Sequence, residues 1–234
     1  MPKLIAAIIR HAEYHQRPDT PSALQPFPLT AEGILQAQQA ASTIHTTLEK
    51  NRWALAPQVD CSQLLRAWQT AKIVMDELNI QFNASPTLHG FDALAERSVG
   101  SAANLTLTEI EDVIVADPRF TPLPKNWKSD SHFKLPLQGA ESLLEAGKRV
   151  ADHIQSQMEN LAAEAKSDTV KLFVGHGAAF RHAAYHLGVL ALDDIAKLSM
   201  YHAQPVYLEY CPQKGWSHLD GDWKIRNKHV DPLD

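Results

Sequence analysis

The chain has 234 residues, of which 44% are apolar and 21% charged. That balance supports a hydrophobic core and excludes a disordered or extended charged polymer. With 22 basic against 27 acidic side chains and a formal net charge of −5, nothing points to a broad nucleic-acid-binding surface, although a small anion pocket depends only on local charge.

Leu4 to Ile9 is a short unbroken apolar run, the pattern of a strand covered on both faces. It is too short to cross a bilayer, and Arg10-His11 ends it with no small-residue cleavage site before it. No other stretch approaches the ~18 apolar residues of a membrane span. The expectation is a soluble cytoplasmic protein with neither membrane nor nucleic acid as partner. Cys61 and Cys211 make no disulfide framework and are read as reduced thiols.

Pro18, Pro21, Pro26 and Pro28 make 12–29 irregular chain projecting from the end of the first strand. Thr30 is a candidate N-cap for a helix over 31–50, with Ile34, Ala37, Ala41, Ile44 and Leu48 on its buried face. After Pro57 and a short run to Asp60, Ser62 can cap a second helix lined inside by Leu64, Trp68, Ala71, Met75 and Leu78. The segment 81–100 reads as mixed and ends in a polar loop. Thr106 to Val115 reads as a helix. Pro118, Pro122, Pro124 and Pro136 make 116–138 a second irregular loop. Helical periodicity returns from Glu141 to Leu161 through Leu143, Val150, Ile154 and Met158. Val170 to Val174 is a second apolar strand, ending at Gly175-His176-Gly177. Ala178 to Leu187 suits a helix stopped by Gly188. Val206 to Tyr210 is strand-like, and Trp216, Trp223 and Ile225 suggest an edge hairpin.

Strands followed by helices predict an α/β fold, a three-layer domain with a mainly parallel central sheet flanked by helices. In such sheets ligands collect beyond the carboxyl ends of the strands. Arg10-His11 and His176 both fall there. No repeat is visible and no linker forces a boundary, so 1–234 reads as a single domain with 12–29 and 116–138 as loops around one site. Amphipathic faces do not say which surfaces pair, so a homo-oligomer stays open.

The polar groups that stand out are Arg10, His11, Arg66, Glu96 and His176. A neutral imidazole can attack phosphorus and carry the phosphoryl group. Guanidinium forks fit phosphoryl oxygens. A protonated carboxyl can deliver a proton to the leaving alkoxide, and Glu96 competes for that role with Asp92 and Glu109. His182 and His186 are spaced i, i+4, but Ala183 stands where a His-Glu-x-x-His motif has glutamate, so they are read as ordinary helix histidines with no metal.

The blocks in which these residues sit resemble the histidine phosphatases, the superfamily that includes cofactor-dependent phosphoglycerate mutases. Arg10-His11-Ala12-Glu13 is similar to the family's Arg-His-Gly-Glu. Leu29-Thr30-Ala31-Glu32-Gly33 resembles its Leu-Thr/Ser-x-x-Gly. Ser62-Gln63-Leu64-Leu65-Arg66-Ala67-Trp68-Gln69-Thr70-Ala71 resembles Ser-x-Leu-x-Arg-Ala-x-Gln-Thr-Ala. Glu96-Arg97-Ser98-Val99-Gly100, Gly139-Ala140-Glu141-Ser142 and Val174-Gly175-His176-Gly177 follow in the family's order. The resemblance runs from residue 4 to about 210 and implies a phosphoglycerate mutase-like fold.

It also implies His11 as nucleophile, Arg10, Arg66 and His176 as phosphoryl ligands, and Glu96 as the acid and then the base for water. Glu13 and Arg181 take supporting places. The implied activity is a metal-independent phosphomonoesterase without cofactor, acting through a phosphohistidine. A small acidic metabolite ester is the expected substrate, because Arg97, Arg17, Lys125 and Lys128 could meet a second anion. Lys134 lies in the same loop as the last two; a merely solvated loop is the plainer reading of all three lysines. Ala12 replaces the usual glycine, which is tolerable if the backbone there is not left-handed. Arg17 stands where the mutases carry asparagine, and no Arg-Arg pair lies between Gly100 and Gly139. Both departures favour a phosphatase over a bisphosphate-dependent mutase, while the retained Glu96-Arg97 pair leans the other way. A non-catalytic module binding a phosphorylated ligand is the third reading.

Overall fold

The computed structural model describes residues 2–82 and 86–226. In chain order the elements are β1 (Leu4–Arg10), α1 (Ala31–Asn51), β2 (Ala54–Leu55), β3 (Gln58–Ser62), α2 (Leu65–Phe82), β4 (Thr87–Phe91), α3 (Leu107–Ala116), α4 (Leu143–Glu164), β5 (Thr169–Gly175), α5 (Gly177–His186), α6 (Leu192–Ile195), β6 (Leu198–Ser199), β7 (Pro205–Cys211), β8 (Gly215–Asp220) and β9 (Lys224–Ile225). Short 3-10 turns occupy Asp92–Leu94 and Gly100–Ala102. The main sheet runs β4-β3-β5-β1-β7-β8, with β2 also beside β5. The β1–β5, β3–β5, β3–β4 and β2–β5 pairs are parallel; β7 is antiparallel to both β1 and β8.

The unbroken apolar run of β1 has a direct cause. Successive side chains point to opposite faces of a strand. Ile5, Ala7 and Ile9 enter the core shared with α1 and α2, while Leu4, Ala6 and Ile8 enter the core shared with α4 and α5. The expected three layers follow. A third apolar cluster joins Ala23 of the first proline-rich loop to Trp127 and Leu135 of the second, around Val99, Ala102 and Ile110. Both loops therefore share one apolar cluster.

Most helix termini match their sequence signals, but Ser62 ends β3 instead of capping α2, whose first turn donates to Leu64 O. Thr30 Oγ1 accepts from Gly33 N at 3.0 Å. Thr106 and Ser142 each close a capping box, with Glu109 and Glu145. Gly188, just past α5, has φ +77°. Three other expectations needed correction. Ile34 (43% exposed) and Trp68 (42%), read on the buried faces of α1 and α2, lie instead on their exposed sides. Small side chains take the early turns of the buried faces, Ala37, Ala40 and Ala41 on α1 and Ala67 and Ala71 on α2, ahead of Ile44, Leu48, Val74 and Leu78, where α1 and α2 pack together against the sheet. The third is β4, a regular edge strand inside the segment read as mixed. Most of its residues are exposed, so it shows neither alternation nor an apolar run. The edge hairpin forms from β7 and β8, while Ile225 pairs instead with Leu198 of β6.

Cys61 and Cys211 are free. Burial, with the charge of Asp60, pushes the Cys61 thiol up to about 12, so it stays protonated and inert. Among the described residues no helix is long and apolar enough to cross a membrane.

A buried charge cluster ties α4 to the sheet. Asp60 accepts from Lys171 Nζ at 2.7 Å and pairs with His153 Nε2 at 2.8 Å. Burial alone would raise the Asp60 carboxyl, but hydrogen bonds from His153 and Lys171 and the Lys171 charge together outweigh it and hold it below its ordinary value. Its contribution to stability is therefore complete above the ordinary carboxylate range and lost as pH falls through the lowered folded value. Asp60→Ala leaves the Lys171 ammonium buried beside no carboxylate. It should cost about 3–5 kcal/mol, read from the urea midpoint at neutral pH. A midpoint equal to wild type would show that the cluster holds nothing.

Candidate active site

The site is assembled at the carboxyl ends of β1, β3 and β5. His11 follows β1 and donates its backbone N–H to Gly175 O at 2.9 Å. Its ring Nδ1 lies 2.8 Å from Ala12 O. A carbonyl only accepts, so Nδ1 carries the proton and Nε2 keeps its lone pair. This is the backbone acceptor needed to fix the tautomer. Burial first, then the electrostatic effects of Arg66, His176, Arg10 and His202, hold His11 well below its ordinary value. The imidazole is thus neutral and nucleophilic at neutral pH. Ala12 is absent from the residues with positive φ, so its methyl imposes no backbone strain. Ala12 N donates to Thr70 Oγ1 at 3.0 Å, and Thr70 Oγ1 donates to Arg66 O at 2.7 Å.

Arg66, in the first turn of α2, is fully buried. Its Nη1 donates to Gln25 O (3.0 Å), and its Nη2 to Ser22 O (3.1 Å) and Ala23 O (3.0 Å). Nη2 also donates to His176 Nδ1 at 3.2 Å, and the guanidinium carbon lies 4.6 Å from the Tyr14 ring centroid. Arg66 Nε is buried with no hydrogen-bond partner. Since Arg66 can only donate, His176 Nδ1 accepts, and His176 Nε2–H donates to Ser62 Oγ at 2.9 Å. Burial, then Arg66 and Arg10, push His176 well below its ordinary value. The rings of His11 and His176 are 5.2 Å apart. With both histidines lowered, folding stability is full above the ordinary histidine range and falls as acid protonates them.

Arg10 Nη1 donates to Met200 O at 3.1 Å, and Arg10 O accepts from Ala203 N. The Arg10 side chain crosses the start of α5, where a Cβ on Gly177 would lie 3.1 Å from Arg10 Cδ. Glycine there lets the guanidinium pass over a helix N-terminus, whose first N–H groups lack intrahelical partners and favour an anion. Glu96 is buried, and its charge acts on Arg66 and Arg97. Asp92 is exposed, and the exposed Glu109 is committed to the α3 cap. Glu96 alone of the three acids is buried beside Arg66. It shares with Arg97 and Pro21–Ala23 a cavity of about 10 Å³, room for roughly one water.

The structure brings together His11, Arg10, Arg66, His176, Glu96 and Arg97. Glu13 braces the loop: its Oε1 accepts from Thr30 Oγ1 at 2.9 Å, and its backbone leaves no space for a Cβ on Gly33, which would sit 1.9 Å from Glu13 O. That contact is a physical reason for the Leu-Thr-x-x-Gly spacing. Arg181 reaches the carbonyls of Gly177, Ile195 and Leu198, tying α5 to α6 and β6. Arg17 is exposed and donates to Asn104 O. Lys125 is exposed in the second loop, and Lys128 borders a separate cavity with Arg181 and His182. His182 bonds Ser131 and Ala178 O, whereas His186 bonds Leu144 O, so they do not converge on a metal.

Two contributors escaped the sequence reading. Tyr14 stacks on Arg66, and the ring of His202 lies 5.7 Å from that of His11. His202 comes from the turn before β7 and carries no motif. Tyr14 follows directly after the Arg10–Glu13 block, in a loop with no periodicity to orient it.

This is an α/β protein with two buried histidines and two arginines gathered at the carboxyl ends of its central strands. The chain belongs to the histidine phosphatase superfamily, whose branch 1 family model matches residues 6–220. At family level that makes it a phosphatase or mutase. Its fold is similar to that of a structure titled mycobacterial hydrolase 2 (TM-score 0.65, 20% identity, 98% of this chain and 95% of the other). It is also similar to a mycobacterial glucosyl-3-phosphoglycerate phosphatase (0.60, 22%, 89% and 90%) and to a phosphoglycerate mutase from Bacillus anthracis strain Sterne (0.65, 17%, 96% and 92%). Among curated proteins, none matches this chain.

Proposed function

We propose that the protein is a metal-independent phosphomonoesterase that works through a phosphohistidine on His11. The observation that carries this reading is a neutral imidazole with its Nδ1 proton locked onto Ala12 O, set among fixed cations. The buried Arg66 Nε, without a partner, supplies a donor suited to a phosphoryl oxygen. Arg10 and the start of α5 add positive potential on the same side. His11 Nε2 attacks phosphorus in line, Glu96 protonates the departing alkoxide, and Glu96 then takes a proton from the water that attacks the phosphohistidine. The nitrogen–phosphorus bond breaks and His11 is restored.

The cavity beside Glu96 is too small for an ester, so Pro21–Ala23 must move aside, with Arg66 exchanging loop carbonyls for phosphoryl oxygens. A second acidic group on the substrate would meet Arg97, which lines the same cavity as Glu96. A small acidic phosphorylated metabolite is the class that fits.

The test is hydrolysis of a panel of phosphorylated metabolites before and after exhaustive dialysis against EDTA. Turnover should be unchanged. Loss restored only by a divalent ion would sink the metal-free mechanism, and bisphosphate-stimulated isomerisation in place of phosphate release would make the chain a mutase.

A further inference from the structure

We propose that Arg149, through its ion pair with Glu141, is the positioning residue for the acid: it holds the 92–99 segment so that the Glu96 carboxyl meets the leaving oxygen. This rests on the reading of Glu96 as the acid. The Glu96 carboxylate is anchored weakly by itself. Its hydrogen bond among the described residues is from the N–H of the next residue, Arg97, at 2.8 Å, which moves with it. Its position relative to His11 is therefore set by the backbone on either side.

Both sides are fastened to one ion pair. Arg149 lies two turns into α4. Its Nη1 donates to three carbonyls before Glu96: Asp92 O at 3.2 Å, Ala93 O at 2.9 Å and Ala95 O at 3.1 Å. Its Nε and Nη2 grip Glu141 at 2.9 and 2.7 Å. Glu141 in turn fastens the chain after Glu96. Its Oε2 accepts from Ser98 N at 3.1 Å and its backbone N–H donates to Ser98 O at 2.9 Å. Val99 then bridges to Ala140. A guanidinium can serve a carboxylate and several carbonyls at once because its donors are fixed in one plane; an ammonium cannot hold that set. Arg149 makes these contacts from α4 and donates to none of the catalytic side chains; its charge adds the smallest of the electrostatic effects on His176, and its hydrogen bonds act through the backbone of the acid's segment.

A displaced acid harms only the step that needs it. An alkyl ester has a poor leaving group and depends on protonation; an activated aryl ester does not. On the full-length chain, kcat for an alkyl and for an aryl phosphate should be measured for wild type, Glu96→Ala, Arg149→Met and Arg149→Lys. Urea midpoints and amide exchange at Ser98 complete the set. Arg149→Met should lose about 100-fold in kcat on the alkyl ester, the scale of a misplacement of about 1 Å, and only several-fold on the aryl ester. Arg149→Lys should recover part of the alkyl rate. Ser98 N–H should exchange faster in Arg149→Met while the amides of β1 and β5 keep their protection.

Equal losses on both esters, or an unchanged alkyl rate, would overturn the positioning role. If Glu96→Ala shows the leaving-group split and Arg149→Met does not, this inference alone falls. If Glu96→Ala shows no split, the reading of Glu96 falls and takes this one with it. Should Arg149→Met fail to fold, Glu141→Gln breaks the ion pair while keeping an acceptor for Ser98 N–H, and must show the same split in smaller measure.

Discussion

His11→Ala should abolish the phosphoenzyme and lower turnover by about four orders of magnitude, the scale seen when a nucleophile acting as part of a unit is removed. The reason is local. Nδ1 is tied to Ala12 O, so Nε2 is the one ring nitrogen able to form the bond to phosphorus. His176 cannot take its place, because both of its ring nitrogens are engaged, by Arg66 and Ser62. Rapid quench with a labelled ester should trap label on His11 at Nε2, in an adduct that is acid-labile and relatively base-stable. Phosphate affinity should survive in part, since Arg10 and Arg66 remain. The lowered His11 value also predicts that the acid limb of kcat/KM lies below the ordinary histidine value of about 6.5. Label on another residue, or undiminished turnover, would overturn the mechanism.

The second large effect is at Glu96. Glu96→Ala should cost about 10²–10⁴-fold on an alkyl phosphate, the usual worth of a positioned general acid, and less than about tenfold on an activated aryl phosphate. The carboxyl is buried next to Arg97 and within the field of Arg66, whereas its sequence rivals face solvent. Equal losses on both esters, in a variant with wild-type stability, would argue that the proton comes from elsewhere.

Much of this site was legible because each motif is held by short-range constraints. Thr30, Glu32 and Gly33 announce a capped helix whose first turn must touch Glu13, and they do so at fixed spacing. Arg66 and Thr70 are one helical turn apart, so a helix there places both on the side of the loop that they hold. The apolar runs of β1 and β5 report burial on both faces, and that burial places them in the sheet centre with their polar ends at the site. What was not legible has equally physical causes. The early turns of the inward faces of α1 and α2 are built from alanine, which carries little hydrophobic signal, so the larger Ile34 and Trp68 misled the reading of the helix face there. The edge strand β4 leaves most of its residues in water and shows no pattern.

The sequence by itself determined the layered α/β class, which depends on periodicity and caps within one element, and the family blocks, whose resemblance implied that Arg10, His11, Arg66, Glu96 and His176 meet. Tertiary structure alone decided which ring nitrogen of His11 is free, which acid is buried near Arg66, and that Arg66 is held by the carbonyls of residues 22, 23 and 25. It also decided that His202 lies near His11, and that Arg149 and Glu141 clasp the segment bearing Glu96. Those outcomes depend on contacts between residues far apart in the chain, where the free energy lies in burial, charge and hydrogen-bond geometry that no local pattern records.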